Sequence, residues 1–233
     1  MQLTICAGPA TTGKTSVLRH VIRKLRSAGK HPAFLKIDVQ YAEEDEQFAK
    51  EFGIPTRKVY SGELCPDHCN VMVLGDALQW ARRENCDFLF VETAGLCLRC
   101  SPYVDGGLGI IVLEATSGMN LPLKVGPMLS LADIAVVTKI DRVSQAEREV
   151  FRARIQNAAP GVRIREVNAL YGIGIDPIMD HVRATPETVP NLLLRGNPPV
   201  GTCTICVGKK EIGWQSHFGV VRALENQNFY RGE

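Results

Sequence analysis

The 233-residue sequence contains no apolar run long enough to span a bilayer. Its formal net charge is +2, so no excess of one sign suggests a nucleic-acid or membrane partner. The first predicted strand begins almost at once, so we expect no targeting segment, and no internal repeat is present. Without such a segment we expect a cytoplasmic location. The content of 45% hydrophobic residues is ordinary for a globular protein, and the length allows one sizeable domain and a small appendage.

Cysteine, in contrast, is more frequent than is usual for a protein of this size. There are eight cysteines, and six of them fall into three close pairs. In a reducing compartment such pairs indicate metal or redox chemistry rather than disulfides. The pairs are Cys65 with Cys69, Cys97 with Cys100, and Cys203 with Cys206.

The most specific motif lies near the N-terminus, where residues 8–15 read G-P-A-T-T-G-K-T. This string matches the phosphate-binding pattern G-x-x-x-x-G-K-[ST] without a mismatch. Gly8 and Gly13 allow the tight backbone in which successive N–H groups converge on an anion. Lys14 supplies a charge for the β- and γ-phosphates, and the Thr15 hydroxyl can bind Mg²⁺. Because an apolar strand precedes the loop and a helical pattern follows it, we predict a nucleotide-binding protein.

Strand patterns alternate with helical patterns over residues 1–184, which predicts a parallel sheet with right-handed crossovers. The expected fold class is α/β, a three-layer P-loop nucleoside triphosphatase with a mostly parallel central sheet flanked by helices. From about residue 185 the alternation of strand and helix patterns ends and prolines become frequent. We interpret residues 185–233 as a C-terminal arm that carries a C-x-x-C motif. The predicted strands are residues 3–7, 33–38, 87–92, 108–113, 134–137 and 162–167.

Two local patterns add detail to this outline. The acidic run Glu43–Glu46 is typical of a solvated helix face. Ser144, followed three residues later by Glu147, predicts a capping box at the start of a helix.

A guanine-recognition pattern follows the fifth predicted strand, where residues 138–141 (T-K-I-D) fit [NT]-K-x-D. The carboxylate of Asp141 can accept two hydrogen bonds from guanine N1–H and the 2-amino group, which adenine cannot match. The stem of Lys139 can cover the base. One strand later, Asn168-Ala169-Leu170 is in place to direct a backbone N–H at guanine O6. We therefore predict GTP rather than ATP.

Carboxylates end two of the predicted strands near the phosphate loop. Glu92 opens the string E-T-A-G, in which the carboxylate would hold Mg²⁺ through water and the N–H of Gly95 would sense the γ-phosphate. Asp38 is expected near Mg²⁺ and the attacking water. We predict Asp38 and Lys14 as catalytic residues, because phosphoryl transfer depends on positioning and charge neutralisation. The remaining predicted nucleotide contacts are Thr12 and Ser16.

With these motifs placed, residues 1–183 resemble the nickel-handling GTPases of the SIMIBI class, the hydrogenase-maturation factor HypB and the urease accessory protein UreG. Residues 8–15 are similar to the family's G-P-x-G-x-G-K-T loop, with Thr11 in place of its middle glycine. Asp38-Val39-Gln40 looks like the D-I-Q after the family's second strand. Residues 118–127 look like the urease-type I-P-x-K-x-G-P segment.

The resemblance implies that metal binds at a nucleotide-dependent homodimer interface. Family ligands are a Cys and a His after the first switch and, in the hydrogenase type, a Cys after E-x-x-G. The matching positions here are Cys65, then His68 or Cys69, and Cys97 or Cys100. The implied partner is a client metalloenzyme or an accessory maturation protein.

The chemistry of the cysteine pairs leaves alternatives open. Cys97-x-x-Cys100 directly follows the segment that responds to the γ-phosphate. In a two-fold dimer the pair would give four thiolates, enough for Zn²⁺ or a [4Fe–4S] cluster, and the alternative is two buried thiols. Cys65, His68 and Cys69 suit Zn²⁺ or Ni²⁺, or else form a turn with incidental cysteines.

The remaining cysteines are divided between a half-site and the core. Cys203-x-x-Cys206 can take His217 as a further ligand, pair with a neighbouring chain, or act as a redox dithiol. Cys6 and Cys86 lie in or beside apolar strands, so we expect both in the core.

Together these patterns predict a GTPase that dimerises with GTP and Mg²⁺ and couples hydrolysis to the delivery of nickel or a similar metal during metalloenzyme maturation. A second hypothesis is a nucleotide-driven iron–sulfur protein, in which Cys97 and Cys100 of two subunits hold a cluster that acts as reductant or carrier. A third is a regulatory switch with purely structural zinc.

Overall fold

The structure is a computed structural model that describes residues 1–39, 43–61, 66–94, 101–188, 192–196 and 210–213, with residues 66–68 described by backbone only. Its centre is a seven-stranded sheet in the order β3-β2-β4-β1-β5-β6-β7, and every neighbouring pair is parallel. The predicted α/β fold with a parallel sheet is therefore confirmed. The strands are β1 (Gln2–Ala7), β2 (Pro32–Asp38), β3 (Thr56–Tyr60), β4 (Phe88–Thr93), β5 (Leu108–Glu114), β6 (Ile134–Thr138) and β7 (Arg163–Glu166).

Helices cover both faces of the sheet, and each face has its own apolar core. One core is closed by the first, second and last helices, and the other by the third, fifth and sixth. In the described part of the chain, no helix is both long enough and apolar enough to cross a bilayer. The helices are α1 (Lys14–Ser27), α2 (Glu44–Phe52), α3 (Pro66–Arg83), α4 (Leu121–Lys124), α5 (Gly126–Ser130), α6 (Gln145–Ala158) and α7 (Asp176–Ala184).

The hydrophobic pattern of α1 explains why this helix packs on the sheet. The predicted stripe of apolar side chains is buried, and each such side chain contributes roughly 1.5–3 kcal/mol relative to exposure. The helix is followed by Gly29 in the left-handed region, at φ +72°. The buried apolar residues of the stripe are Val17, Leu18, Val21, Ile22 and Leu25.

Strand β3 was not predicted, because its sequence T-R-K-V-Y carries no apolar run. It pairs with β2 alone and forms one edge of the sheet, and Val59 is its only buried residue. An edge strand whose side chains are only partly buried needs few apolar residues. The hydrophobic pattern of the sequence therefore did not indicate a strand here.

The acidic run before this strand also differs from its prediction. Glu46 is exposed, as expected for a solvated face of α2. Asp45, however, is buried and pairs with Lys58 at 3.3 Å, and Glu44 points towards Lys36 of β2 at 3.5 Å. The prediction of a solvated face was therefore wrong for Glu44 and Asp45, because neighbouring strands present lysines to them.

The predicted capping box of α6 is confirmed. The N–H of Glu147 donates to Ser144 Oγ at 3.3 Å, and the N–H of Ser144 donates to Glu147 Oε2 at 2.8 Å. The two bonds satisfy donors that a helix start leaves without intrahelical partners.

Thr188 and Arg195, which lie beyond α7, contact the end of the sheet opposite to its carboxyl edge. The N–H of Thr188 donates to Met1 O at 2.9 Å, beside the start of β1. The guanidinium of Arg195 donates to the carbonyls of Val104, Gly107 and Leu131 and to Asp133, which precedes β6.

A small antiparallel ladder joins three chain segments near the same place. The N–H of Arg195 donates to Tyr103 O at 3.0 Å, and the N–H of Asp105 donates to Leu193 O at 2.9 Å. On the other side, the N–H of Leu194 donates to Lys210 O at 2.9 Å, and Leu193 bridges to Glu211. The connection between β4 and β5 is thus paired with two segments from the C-terminal part of the chain.

Candidate functional site

The phosphate-binding loop joins β1, the central strand, to α1. Gly8 has φ +133°, and a Cβ atom at this position would lie 2.2 Å from the carbonyl oxygen of Val112. No other residue fits there, because the loop crosses the β5 backbone in direct contact. Gly13, which precedes α1, has φ +92°.

The side chains of the loop bond to the loop itself. Lys14 Nζ donates to Gly8 O at 3.0 Å and to Pro9 O at 2.9 Å, and Thr12 Oγ1 donates to Pro9 O at 2.9 Å. Burial lowers the pKa of Lys14, although the negative charge of Glu92 opposes this effect. The ammonium is therefore held inside the curve of the loop, where a phosphate group would meet it.

Thr11 is the residue at which the loop departs from the glycine-rich family pattern, and its backbone reflects the substitution. It has φ +62°, in the left-handed region that β-branched residues rarely adopt. The loop therefore keeps the conformation that suits glycine, with a threonine in it.

Glu92, at the end of β4, lies at the centre of the site. Its side chain is 1% exposed, and Oε1 accepts hydrogen bonds from Thr15 Oγ1 at 2.8 Å and from Lys36 Nζ at 2.7 Å. Oε2 is buried and has no hydrogen-bond partner among the described residues. A buried carboxylate oxygen without a partner is costly, unless a ligand or a bound water donates to it.

Asp38, at the end of β2, is the second predicted carboxylate of the site. Its Oδ1 accepts from the N–H of Val39 at 2.7 Å, and its Oδ2 lies 3.5 Å from Lys36 Nζ. Together with the hydroxyl of Thr15 and the unpartnered oxygen of Glu92, it forms a set of oxygen donors. This set fits Mg²⁺, which prefers oxygen ligands and keeps several waters.

These groups surround one cavity of about 550 Å³ at the carboxyl edge of the sheet. Parallel α/β sheets bind their ligands at this edge. The structure thus brings together the predicted phosphate and Mg²⁺ residues of three different segments. The cavity is lined by Ala10, Thr11, Gly13, Lys14, Thr15, Ser16, Lys36, Asp38, Val39, Glu44, Glu92 and Ala94.

The residues predicted to recognise the base follow β6 and β7. Thr138 Oγ1 donates to Thr12 O at 2.6 Å and contacts Leu113 O at 3.2 Å, so a hydroxyl at the first motif position ties the phosphate loop to the base motif. Lys139 has φ +55°, and its ammonium pairs with Glu114 of β5. Asp141 is exposed in a short 3-10 turn, Ile140–Arg142.

The loop after β7 is organised by the side chain of Asn168. Its Oδ1 accepts from the N–H of Leu170 at 3.1 Å and from the N–H of Tyr171 at 3.3 Å. The N–H of Asn168 donates to Ile173 O, so the N–H groups on either side of Ala169 are bonded within the loop, and the N–H of Ala169 is the candidate donor to guanine O6 among the three predicted residues. His20 of α1 braces the loop, because its Nε2 lies 3.1 Å from Ala169 O.

Most of the predicted transition-metal ligands lie outside the described residues. These ligands are Cys65, Cys97, Cys100, Cys203 and Cys206. Gly95, which was predicted to contact the γ-phosphate, also lies outside the described residues. The backbone of His68 belongs to α3, but its side chain is not described. The side chain of Cys69 is fully buried in an apolar core. Across the described ranges, no three His, Cys, Asp or Glu side chains are grouped so as to hold a metal ion by themselves.

Cys6 and Cys86 are buried, as predicted. Burial raises the pKa of Cys86 to about 11, with smaller effects of Glu84 and Asp87. Burial and the nearby Glu92 also raise the pKa of Cys6. Both side chains therefore remain thiols at neutral pH, which suits a packing role.

Sequence reasoning missed four residues that shape the site: Lys36, Glu44, Glu114 and His20. Lys36 had a readable signal, because it interrupts an apolar strand two residues before Asp38 and so shares its face of the sheet. The other three are positioned by contacts between distant segments, which no local pattern reveals.

The parallel sheet, the loop after its central strand and the carboxylate-lined cavity define a P-loop nucleotide-binding protein. Residues 2–166 match the model of the CobW/HypB/UreG family, nucleotide-binding domain, and the chain belongs to this family. The resemblance inferred from the motifs is thereby confirmed.

The chain is also similar to individual proteins. The chain is 43% identical over 235 residues to an uncharacterized protein of Methanocaldococcus jannaschii, covering 100% of both chains. It is 30% identical over 189 residues to the urease accessory protein UreG 2 of Streptomyces griseus, covering 73% of this chain and 81% of that protein. The crystal structure of HypB from Helicobacter pylori in complex with nickel matches with a TM-score of 0.65 at 18% identity, covering 81% and 91%. That last match supports the fold.

Proposed function

We propose that this protein binds GTP with Mg²⁺ and hydrolyses it at a low intrinsic rate. The observation that carries the proposal is the convergence of Lys14, Thr15, Asp38 and Glu92 on one cavity at the carboxyl edge of the sheet. The Thr15 hydroxyl would hold Mg²⁺ directly and Glu92 through water, with Asp38 beside them. The ion would supply charge neutralisation at the β- and γ-phosphates.

The residues of the chain then position the reaction. Lys14 and the N–H groups of the loop bind the phosphate oxygens, and the positive end of the α1 dipole favours the same charge. Asp38, held by the N–H of Val39, orients the attacking water. Burial of Glu92 keeps these charges in a low dielectric, where they act more strongly than in water.

Guanine selectivity rests on Asp141 and on the N–H of Ala169. The hydroxyl of Thr138 supports the proposal, because it links the base motif to the phosphate loop and so fixes the distance between the two. Asp141→Asn should lower affinity for GTP by about tenfold or more and raise it for xanthosine triphosphate, since the amide matches the xanthine edge. Competition binding measures this, with ATP as the control nucleotide whose affinity should not change. Unaltered GTP preference in the variant would show that the base assignment is wrong.

The nucleotide cycle would serve metal delivery during maturation of a metalloenzyme in the cytoplasm. Support comes from the family, whose members include a urease accessory protein and a HypB that was crystallised with nickel. The active form would be a GTP-dependent homodimer that contacts a client metalloenzyme or an accessory maturation protein.

Thiolates of the cysteine pairs would bind the transition metal, and we favour Cys97, Cys100, Cys203 and Cys206 as one set. The described backbone supports this choice. In the sequence, Cys100 lies three residues before Tyr103, which belongs to the ladder. Cys203 and Cys206 lie in the sequence between Arg195 and Lys210, which belong to the same ladder. Both segments therefore leave the same small ladder. Cys65 with His68 or Cys69 is the other candidate set.

Metal analysis of anaerobically purified protein, with and without a GTP analogue, tests this part of the proposal. If the four cysteines form one site, Cys97→Ala/Cys100→Ala and Cys203→Ala/Cys206→Ala should each remove the same metal equivalent. Loss in only one double variant would separate the two pairs. Broad visible absorption of the purified protein would favour the alternative function, an iron–sulfur protein that carries electrons or clusters. Colourless protein whose affinity for Ni²⁺ or Zn²⁺ changes with nucleotide would support metal delivery.

A further inference from the structure

The ammonium of Lys36 lies among the carboxylates of the proposed Mg²⁺ site. The side chain is 5% exposed, and Nζ is 2.7 Å from Glu92 Oε1, 3.5 Å from Asp38 Oδ2 and 3.5 Å from Glu44 Oε1. Lys36 and Glu92 are direct partners in the register of β2 and β4, so both side chains leave the sheet at the same point. Burial alone would lower the pKa of Lys36, but the charge and hydrogen bond of Glu92, with Glu44 and Asp38, raise it. Three carboxylates thus surround one ammonium, which is a positive charge inside the proposed Mg²⁺ site.

Lys36 and Thr15 donate to the same oxygen of Glu92, at 2.7 Å and 2.8 Å. A carboxylate that is held in this way presents less negative charge to a divalent ion. The two contacts of Lys36 at 3.5 Å are longer, and they mark carboxylates to which its flexible four-carbon stem could turn if Glu92 bonded elsewhere. The ammonium thus has one tight partner and two alternative ones.

We propose that Lys36 is a tethered cation that competes with the divalent ion for the negative charge of Glu92, whose Oε2 is left open to a metal-bound water, so that Mg²⁺ enters the site together with phosphate rather than ahead of it. This inference rests on the proposed function, because it concerns the same nucleotide site. Phosphate supplies the negative charge and the ligands that the ion needs to displace the ammonium from Glu92. The displaced ammonium pairs with Asp38 and Glu44, where it still faces the phosphate end of the cavity.

The proposal gives Lys36 opposite effects on the two ligands. Two lysines and three carboxylates line this part of the cavity. Removing the charge of Lys36 leaves the carboxylates with Lys14 alone, which favours a cation and disfavours a polyphosphate. A merely structural role would weaken the binding of both, because a disordered site binds neither.

The test is a pair of titrations on Lys36→Met and the wild type. Mn²⁺, as an EPR-visible substitute for Mg²⁺, is titrated into nucleotide-free protein, and a fluorescent GDP analogue is titrated into protein in EDTA. We expect Lys36→Met to bind Mn²⁺ about tenfold more tightly and the metal-free nucleotide about tenfold more weakly. Lys36→Arg keeps the charge and should resemble the wild type. The matched control is Lys58→Met, the register neighbour of Lys36 on β3, which pairs with Asp45 and Glu46 instead and should change neither value.

A second variant keeps the proposal open to refutation if Lys36→Met does not fold. Glu44→Gln removes one of the carboxylates that would receive the displaced ammonium, so Mn²⁺ should bind more weakly than in the wild type. Equal Mn²⁺ affinity in the wild type and in folded Lys36→Met, or in the wild type and Glu44→Gln, would overturn the competition. Failure of the wild type to bind any nucleotide would instead refute the proposed function itself.

Discussion

Among the described residues, Thr11 combines a β-branched side chain with a left-handed backbone conformation, at φ +62°. Left-handed φ costs a non-glycine residue roughly 1–2 kcal/mol, and glycine loses part of that advantage to its greater unfolded-state entropy. We therefore expect Thr11→Gly to raise the free energy of unfolding by up to about 1 kcal/mol. Urea denaturation measures the change.

Thr11→Ala is the matched control, since it removes the β-branch but keeps a Cβ atom in the strained conformation. It should recover less of the stability than glycine does. Equal or lower stability of Thr11→Gly than of the wild type would show that the threonine is not strained.

At the residue scale, sequence reasoning reached the groups that act through chain-local motifs. Lys14 and Thr15 were predicted from the loop pattern, and the cavity contains both, along with the strand-end carboxylates Asp38 and Glu92. Lys36 was missed although its place two residues before Asp38 put it on the same face of the sheet, and its partner Glu92 is fixed only by the register of β2 and β4.

The start of α6 provides a prediction at the scale of an element. Ser144→Ala removes the cap that accepts from the N–H of Glu147, so it should lower the free energy of unfolding by roughly 1 kcal/mol. The control is Gln145→Ala, a change at an exposed position of the same helix, which should have little effect. An unchanged denaturation midpoint for Ser144→Ala would mean that the cap contributes nothing.

Glu147, the second residue of this capping box, predicts that the stability of the fold depends on pH. The N–H and hydroxyl of Ser144 donate to Glu147 and lower its pKa below 4.5 in the folded protein. A lowered carboxyl pKa stabilises the fold at pH values above the unfolded pKa, and this contribution disappears as pH falls through the folded pKa. The stability difference between the wild type and Glu147→Gln should therefore be constant near neutrality, decrease in acid and vanish once the pH is below the lowered pKa of Glu147. A difference that grows in acid would contradict this sign.

Elements were predictable where burial imposes a pattern. The inner strands β5 and β6 are covered on both faces and read as continuous apolar runs, and α1 shows an apolar stripe. The edge strand β3 lacked such a run, because it is partly exposed. Likewise, the acids of α2 could be assigned to the solvent or to a lysine only once β2 and β3 were in place.

At the scale of the whole molecule, Arg195 bonds the C-terminal segment 192–196 to the residues that precede β5 and β6. Arg195→Ala would remove its bonds to three carbonyls and to Asp133. We expect a loss of about 2 kcal/mol in the free energy of unfolding, limited by the partial exposure of the pair.

Arg195→Lys keeps the charge opposite Asp133 but cannot reproduce the carbonyl bonds, so it should lose an intermediate amount. Chemical denaturation followed by circular dichroism measures all three proteins. If Arg195→Ala matches the wild type, this contact does not hold the segment to the sheet.

Calorimetric titration of the wild-type protein with GTP and with ATP tests most directly whether the cavity is a guanine-nucleotide site that uses Mg²⁺. The predicted result is that GTP binds at least about tenfold more tightly than ATP and that EDTA weakens the binding of GTP. ATP binding as tight as that of GTP, or no binding of either nucleotide, would contradict the account.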